Sequence, residues 1–197
     1  MPTENSSIIV ESLHLLIKNI EECRRIVSKE YRSPNDIADF LISLHLVLEI
    51  SINACIRDIV INNLQKTIDK AKIVENLDKI SFIEKATLFI YMEKYDFSGE
   101  LHEADKHHRI IGTMKDFAKT RNFLMHGSMI GGFLDVTSTT TPAVETLTNE
   151  HMENQITKFR EICEGMKFYI RHLKDCKSNK DDLEGKFFDV NFLIKPV

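Results

Sequence analysis

DIADFLISLHLVLEISINACIRDIVINNL, residues 36–64, contains neither glycine nor proline and repeats its apolar side chains every three or four positions. Ile37, Leu41, Leu44, Leu48, Ile52, Cys55 and Ile59 form the main stripe of a predicted helix. Ile42, Leu46, Ile50 and Val60 add apolar surface on its other sides. A helix apolar around most of its circumference is touched by several neighbours, so this stretch predicts the central helix of an all-α bundle.

The flanking sequence extends that reading. Glycine is absent from the first 98 residues, and proline occurs there only at Pro2 and Pro34. Ile9, Leu13, Leu16, Ile20, Cys23 and Val27 predict a first helix ending near Tyr31, after which Ser33-Pro34-Asn35-Asp36 breaks the chain and recaps it. Ser81 and Glu84 have the spacing of a capping box and predict a third helix to about Tyr95. A fourth is predicted over residues 101–126, with Gly127 as its C-terminal cap, and a fifth over residues 149–175. Residues 133–141, rich in β-branched side chains, predict a short strand or hairpin. The alternation of Phe188, Val190, Phe192 and Ile194 with Asp189, Asn191 and Lys195 predicts a second strand, which could pair with the first. The expectation is one domain over residues 1–197, a bundle of about five helices with its core at 8–175, a tail at 176–197 and a small β addition.

The chain has 197 residues, 26 basic against 30 acidic side chains and a net charge of −4, which excludes a polycation that coats nucleic acid. No stretch approaches the roughly 18 uninterrupted apolar residues of a membrane span. Glu4 stands where a secretory leader would carry a basic residue. The expectation is a cytoplasmic protein without membrane contact. Cys23, Cys55, Cys163 and Cys176 lack the paired spacing of a zinc site and read as reduced core thiols. No GxGxxG or GxxxxGKS loop is present. The cluster His102, Glu103, Asp105, His107 and His108 lacks the i, i+4 histidine pair of a helical metal site. No metal or other cofactor is expected.

One window departs from the acidic average. Residues 106–126 hold Lys106, Arg109, Lys115, Lys119 and Arg121 against a single acid, Asp116. Arg109, Lys115 and Lys119 are therefore candidate contacts for an RNA backbone. The window closes on Arg121-Asn122-Phe123-Leu124-Met125-His126. Arginine can hold a phosphate through two hydrogen bonds, and histidine can move a proton near neutrality. On an ideal helix Arg121 and His126 lie about 140° apart, whereas Asn122 and His126 share a face. Arg121 is also in phase with the apolar residues Ile110, Met114 and Phe117, so its charge needs a partner or a solvent cleft. Glu49, within the central helix, is the expected carboxylate. A purely structural Arg121–Glu49 pair would satisfy the same pattern.

The Arg-Asn-x-x-x-His run resembles the signature of the HEPN superfamily (higher eukaryotes and prokaryotes nucleotide-binding). The acid-bearing segment Leu44-His45-Leu46-Val47-Leu48-Glu49 and the Ile80-Ser81-Phe82-Ile83-Glu84-Lys85 run are similar to features of such domains. The resemblance implies a helical homodimer whose paired motif helices share a cleft. It also implies a metal-independent endoribonuclease, often a toxin or phage-defence effector, with Arg121, Asn122 and His126 catalytic and Glu49 supporting. Members controlled by a nucleotidyltransferase antitoxin often carry tyrosine two residues after the histidine, where this chain has Ser128. An antitoxin or other regulatory protein is a further implied partner. The chain also looks similar to the mannitol operon repressor family, which has an Arg-Asn with a following His. Gly127-Ser128-Met129-Ile130-Gly131-Gly132 replaces the aspartate-rich segment of that family. The alternative it implies is a catalytically silent, dimeric regulatory module.

Overall fold

Two helix starts show how local chemistry sets the architecture. Ser33 Oγ accepts the Asp36 N–H at 3.2 Å, the Asp36 carboxylate accepts the Ser33 N–H at 3.0 Å, and Pro34 occupies the first helical position. Ser81 N–H likewise donates to Glu84 at 2.8 Å, and Glu84 N–H to Ser81 Oγ at 3.3 Å, the capping box expected from the sequence.

The computed structural model describes residues 4–63, 70–77, 79–92, 95–97, 109–126 and 143–193. Their helices are α1 (Glu4–Val27), α2 (Pro34–Asn63), α3 (Lys70–Leu77), α4 (Phe82–Met92), α5 (Ile110–His126), α6 (Asn149–His172) and α7 (Lys180–Phe187). Single turns of 3-10 helix lie at Ala143–Thr146 and Asn191–Leu193. The fold is all-α, with α2 as its axis: α1, α3, α4, α5, α6 and α7 all pack against it. The predicted stripe of α2 is buried throughout, and Ala38, Phe40, Val47 and Ile56 widen it to the other sides. Residues 34–59 are long and apolar enough by composition to cross a membrane, which corrects the expectation that no stretch would qualify. Most of that surface is instead covered by neighbouring helices, as in a core helix.

Arg32 links the ends of two helices. Its guanidinium donates to the last carbonyls of α1, Ile26 O at 2.9 Å and Val27 O, and reaches Asn149 Oδ1 at the start of α6 at 3.5 Å. An isolated bridge between Tyr95 and Leu173 ties the chain after α4 to the end of α6, where Asp96 N–H donates to His172 O at 2.8 Å.

The tail departs from its expected form. Residues 188–193 form a bend and a 3-10 turn rather than a strand. Asp189 Oδ1 accepts the Asn191 N–H at 2.9 Å, and Leu193 N–H closes onto Val190 O at 3.0 Å, local bonds that compete with an extended ladder. Phe188, Phe192 and Leu193 thereby turn into the core. The polar run before them also folds: Asn179 Oδ1 caps α7 by accepting the Asp181 and Asp182 N–H groups. Ser178 hydroxyl donates to Asp58 at 2.6 Å, fastening this segment to α2. The tail is therefore part of the bundle rather than an appendage. The predicted hairpin over 133–141 and the helical stretch over 101–108 lie outside the described residues, as does the polar cluster from His102 to His108.

Candidate functional site

Helix α5 presents one apolar side to the core through Ile110, Met114 and Phe117, and Arg121 continues that line one turn beyond Phe117. The rotation of the helix is fixed beside it. Buried Gln155 on α6 donates to Thr120 Oγ1 at 2.7 Å, a side-chain bond between the two helices at the residue preceding Arg121. Arg121 is half-buried, and its Nη1 donates to Asn122 Oδ1 at 3.1 Å. The two adjacent residues of the predicted signature are thus brought together through their side chains. His126 is the last residue of α5, and the expectations for its side chain lie outside the described residues.

The opposing wall comes from α2. His45 is only 2 % exposed and its ring stacks on Phe117, with centroids 5.6 Å apart and planes 12° from parallel. Phe82 of α4 meets the same ring edge-on at 5.1 Å. One turn further along α2, the half-buried Glu49 places Oε2 3.5 Å from His45 Nε2. The His45 contact holds the Glu49 carboxyl below the usual carboxylate range against the opposing effect of burial, and the charges of Arg121 and Lys85 pull the same way. Glu49 is therefore ionised. Lys85, on α4, is 5 % exposed.

The other basic candidates do not converge on Arg121. Lys119 is exposed and paired with Asp116 at 2.7 Å, which holds the aspartate low and offsets part of the local positive charge. At 3.6 residues per turn, Lys119 lies about 160° and Lys115 about 120° around the helix from Arg121. Arg109, in the turn before α5, stands about 18 Å from Arg121 along the axis at 1.5 Å per residue. Arg109, Lys115 and Lys119 are all exposed.

The chain matches no protein-family model, no curated protein and no solved structure. Among the described residues no group of three or more His, Cys, Asp or Glu side chains is arranged to hold a metal ion. What the arrangement offers is a bonded Arg–Asn pair, an ionised carboxylate on α2 on which the Arg121 charge acts, and an aromatic slot between the two helices.

Three members of this neighbourhood were not singled out by the sequence analysis as site residues: His45, Lys85 and Gln155. Each carries a readable signal. His45 precedes Glu49 by four residues, Lys85 falls in the apolar line of Phe82 and Phe89, and Gln155 falls in that of Met152 and Phe159. A polar side chain in an apolar stripe must meet a partner across the helix interface or go unsatisfied.

Proposed function

We propose that this protein is a metal-independent endoribonuclease of HEPN type, acting as a homodimer. The observation that supports this reading best is the Arg121–Asn122 pair near the carboxyl end of α5, whose Arg121 charge acts on the ionised Glu49. Arg121 binds the scissile phosphate and stabilises the negative charge that grows on it, while Asn122 orients the phosphate or the imidazole. His126 acts as general base on the RNA 2′-hydroxyl, whose oxygen attacks the adjacent phosphorus as the bond to the 5′-oxygen breaks. General-base catalysis contributes about 10² to 10⁴ in rate, and a fixed cationic donor to the developing charge is worth a comparable factor. Because an ideal helix directs residues 121 and 126 about 140° apart, one helix alone would not converge Arg121 and His126. Two antiparallel copies of α5 across a two-fold axis restore the pair, Arg121 of one protomer facing His126 of its partner. Arg109, Lys115 and Lys119, spread along and around α5, contact flanking phosphates.

The test is incubation of the purified chain with total RNA in chelator, with analysis of the product ends. Expected are cleavage, 2′,3′-cyclic phosphate termini, no cleavage of DNA, and loss of activity in Arg121→Ala and His126→Ala with folding retained. Light scattering is expected to give twice the 22.8 kDa chain mass. Cleavage that survives in the double alanine variant, or that requires an added divalent metal, would refute the mechanism. A folded dimer that cleaves no RNA would favour the silent regulatory module.

A further inference from the structure

His45 has a place in the fold that packing alone does not explain. Its ring fills a slot between Phe117 of α5 and Phe82 of α4, a space suited to a third phenyl ring. The imidazole carries two nitrogens into that slot. Nδ1 has no hydrogen-bond partner among the described residues, and Nε2 makes the single 3.5 Å contact to Glu49 Oε2. A buried polar atom left unpaired is a cost of folding, so an apolar ring would make the slot more stable. Among the described residues, the one interaction that depends on the imidazole nitrogens is the contact with Glu49.

The helix registers carry that contact to the motif. His45 and Glu49 are one turn apart on α2, and Phe117 and Arg121 are one turn apart on α5. His45 stacks on Phe117, so Glu49 and Arg121 each lie one helical turn from that stacked pair. The electrostatics agree, because Arg121 is among the charges acting on the Glu49 carboxyl. We infer that His45 is a positioning residue for this site: it fixes the Glu49 carboxylate, which in turn orients the Arg121 guanidinium toward a bound phosphate. The phosphate-binding part of this inference rests on the ribonuclease reading, whereas the link from His45 through the Glu49 charge to Arg121 does not.

Two substitutions separate positioning from packing. His45→Phe keeps a ring of similar size between Phe82 and Phe117 but removes both nitrogens. His45→Gln gives up the stack and keeps an N–H donor that reaches Glu49. If His45 served only the core, Phe would be neutral and Gln harmful. Positioning predicts the opposite order in activity. For His45→Phe, kcat for RNA cleavage falls about 10- to 100-fold with KM within about twofold, while the melting temperature is unchanged or higher. His45→Gln melts lower and retains more activity than His45→Phe. A His45→Phe enzyme with unaltered kcat overturns the inference.

The same variants are read without RNA through the Arg121 Nε–H resonance in ¹⁵N NMR, assigned by its loss in Arg121→Lys. This signal is expected to shift or broaden in His45→Phe and to stay near its original position in His45→Gln. A signal indifferent to His45→Phe overturns the inference whether or not the protein cleaves RNA. Dependence of the signal on His45 in a chain that cleaves nothing supports the contacts and counts only against the ribonuclease reading.

Discussion

Ending the chain after Asp175 removes no residue of the proposed site, yet the packing predicts that it abolishes the fold. The deleted segment contains Leu183, Phe188, Phe192 and Leu193, each at least 95 % buried. At about 1.5–3 kcal/mol for each side chain taken out of water, the four together contribute roughly 6–12 kcal/mol. That is comparable with the whole stability of an ordinary domain, about 5–15 kcal/mol. The loss also uncovers their neighbours, such as Phe159, whose ring meets Phe192 edge-on at 5.8 Å. A graded version is Phe188→Ala, which empties a fully enclosed position. It should cost about 3–5 kcal/mol and lower the melting temperature by about 6–20 °C at 2–4 °C per kcal/mol. The assay is urea unfolding and calorimetry at one fixed protein concentration, with near-ultraviolet circular dichroism to register tertiary packing. A truncated chain with native dichroism that melts within a few degrees of the full chain would refute the reasoning, as would Phe188→Ala at less than about 1 kcal/mol.

Three further outcomes follow from contacts elsewhere. Hydrogen bonds from the Lys29 ammonium and from the Ser33 N–H and hydroxyl depress the Asp36 carboxyl to about 2 from an ordinary 3.8, so its stabilising contribution is present above pH 3.8 and is lost as the pH falls through about 2. The difference in urea midpoint between the native chain and Asp36→Asn should therefore shrink between those two values. Burial raises the thiols of Cys23, Cys55 and Cys163 far above their usual range, while Cys176 is partly exposed. Brief alkylation of the folded protein followed by peptide mass spectrometry should label Cys176 and leave the other three for the denatured chain. Gln155→Ala strands the half-buried Thr120 hydroxyl and should cost about 1–3 kcal/mol in urea unfolding, more than the same change at exposed Asn154.

The helices were legible where periodicity and capping agreed. The stripe of α2 and the Ser81–Glu84 box appear in the structure as the sequence presents them. Phe188, Val190 and Phe192 misled because alternation over a few residues also fits a turn when Asp189 and Asn191 can bond locally. The helix Lys70–Leu77 was not anticipated, since eight residues give only two turns of pattern. Within the candidate site, Arg121 and Glu49 were visible as charges set in apolar stripes. His45 escaped because its one signal, Glu49 four residues on, fits an ordinary helical surface pair equally well. Only the pairing of α2 with α5 gives its ring a neighbour at 117 and its nitrogen a neighbour at 49.

The position of the tail on α2 has a consequence for synthesis. About 130 residues separate the end of α2 at Asn63 from Leu193, the last described core residue. At about 5–20 residues per second, a ribosome needs roughly 6–26 s to make that interval. Throughout it, the longest of the described helices has left its place of manufacture with only part of its covering available. Nascent chains should therefore depend on holding chaperones during translation, and the completed bundle can form only once Phe188, Phe192 and Leu193 have been released.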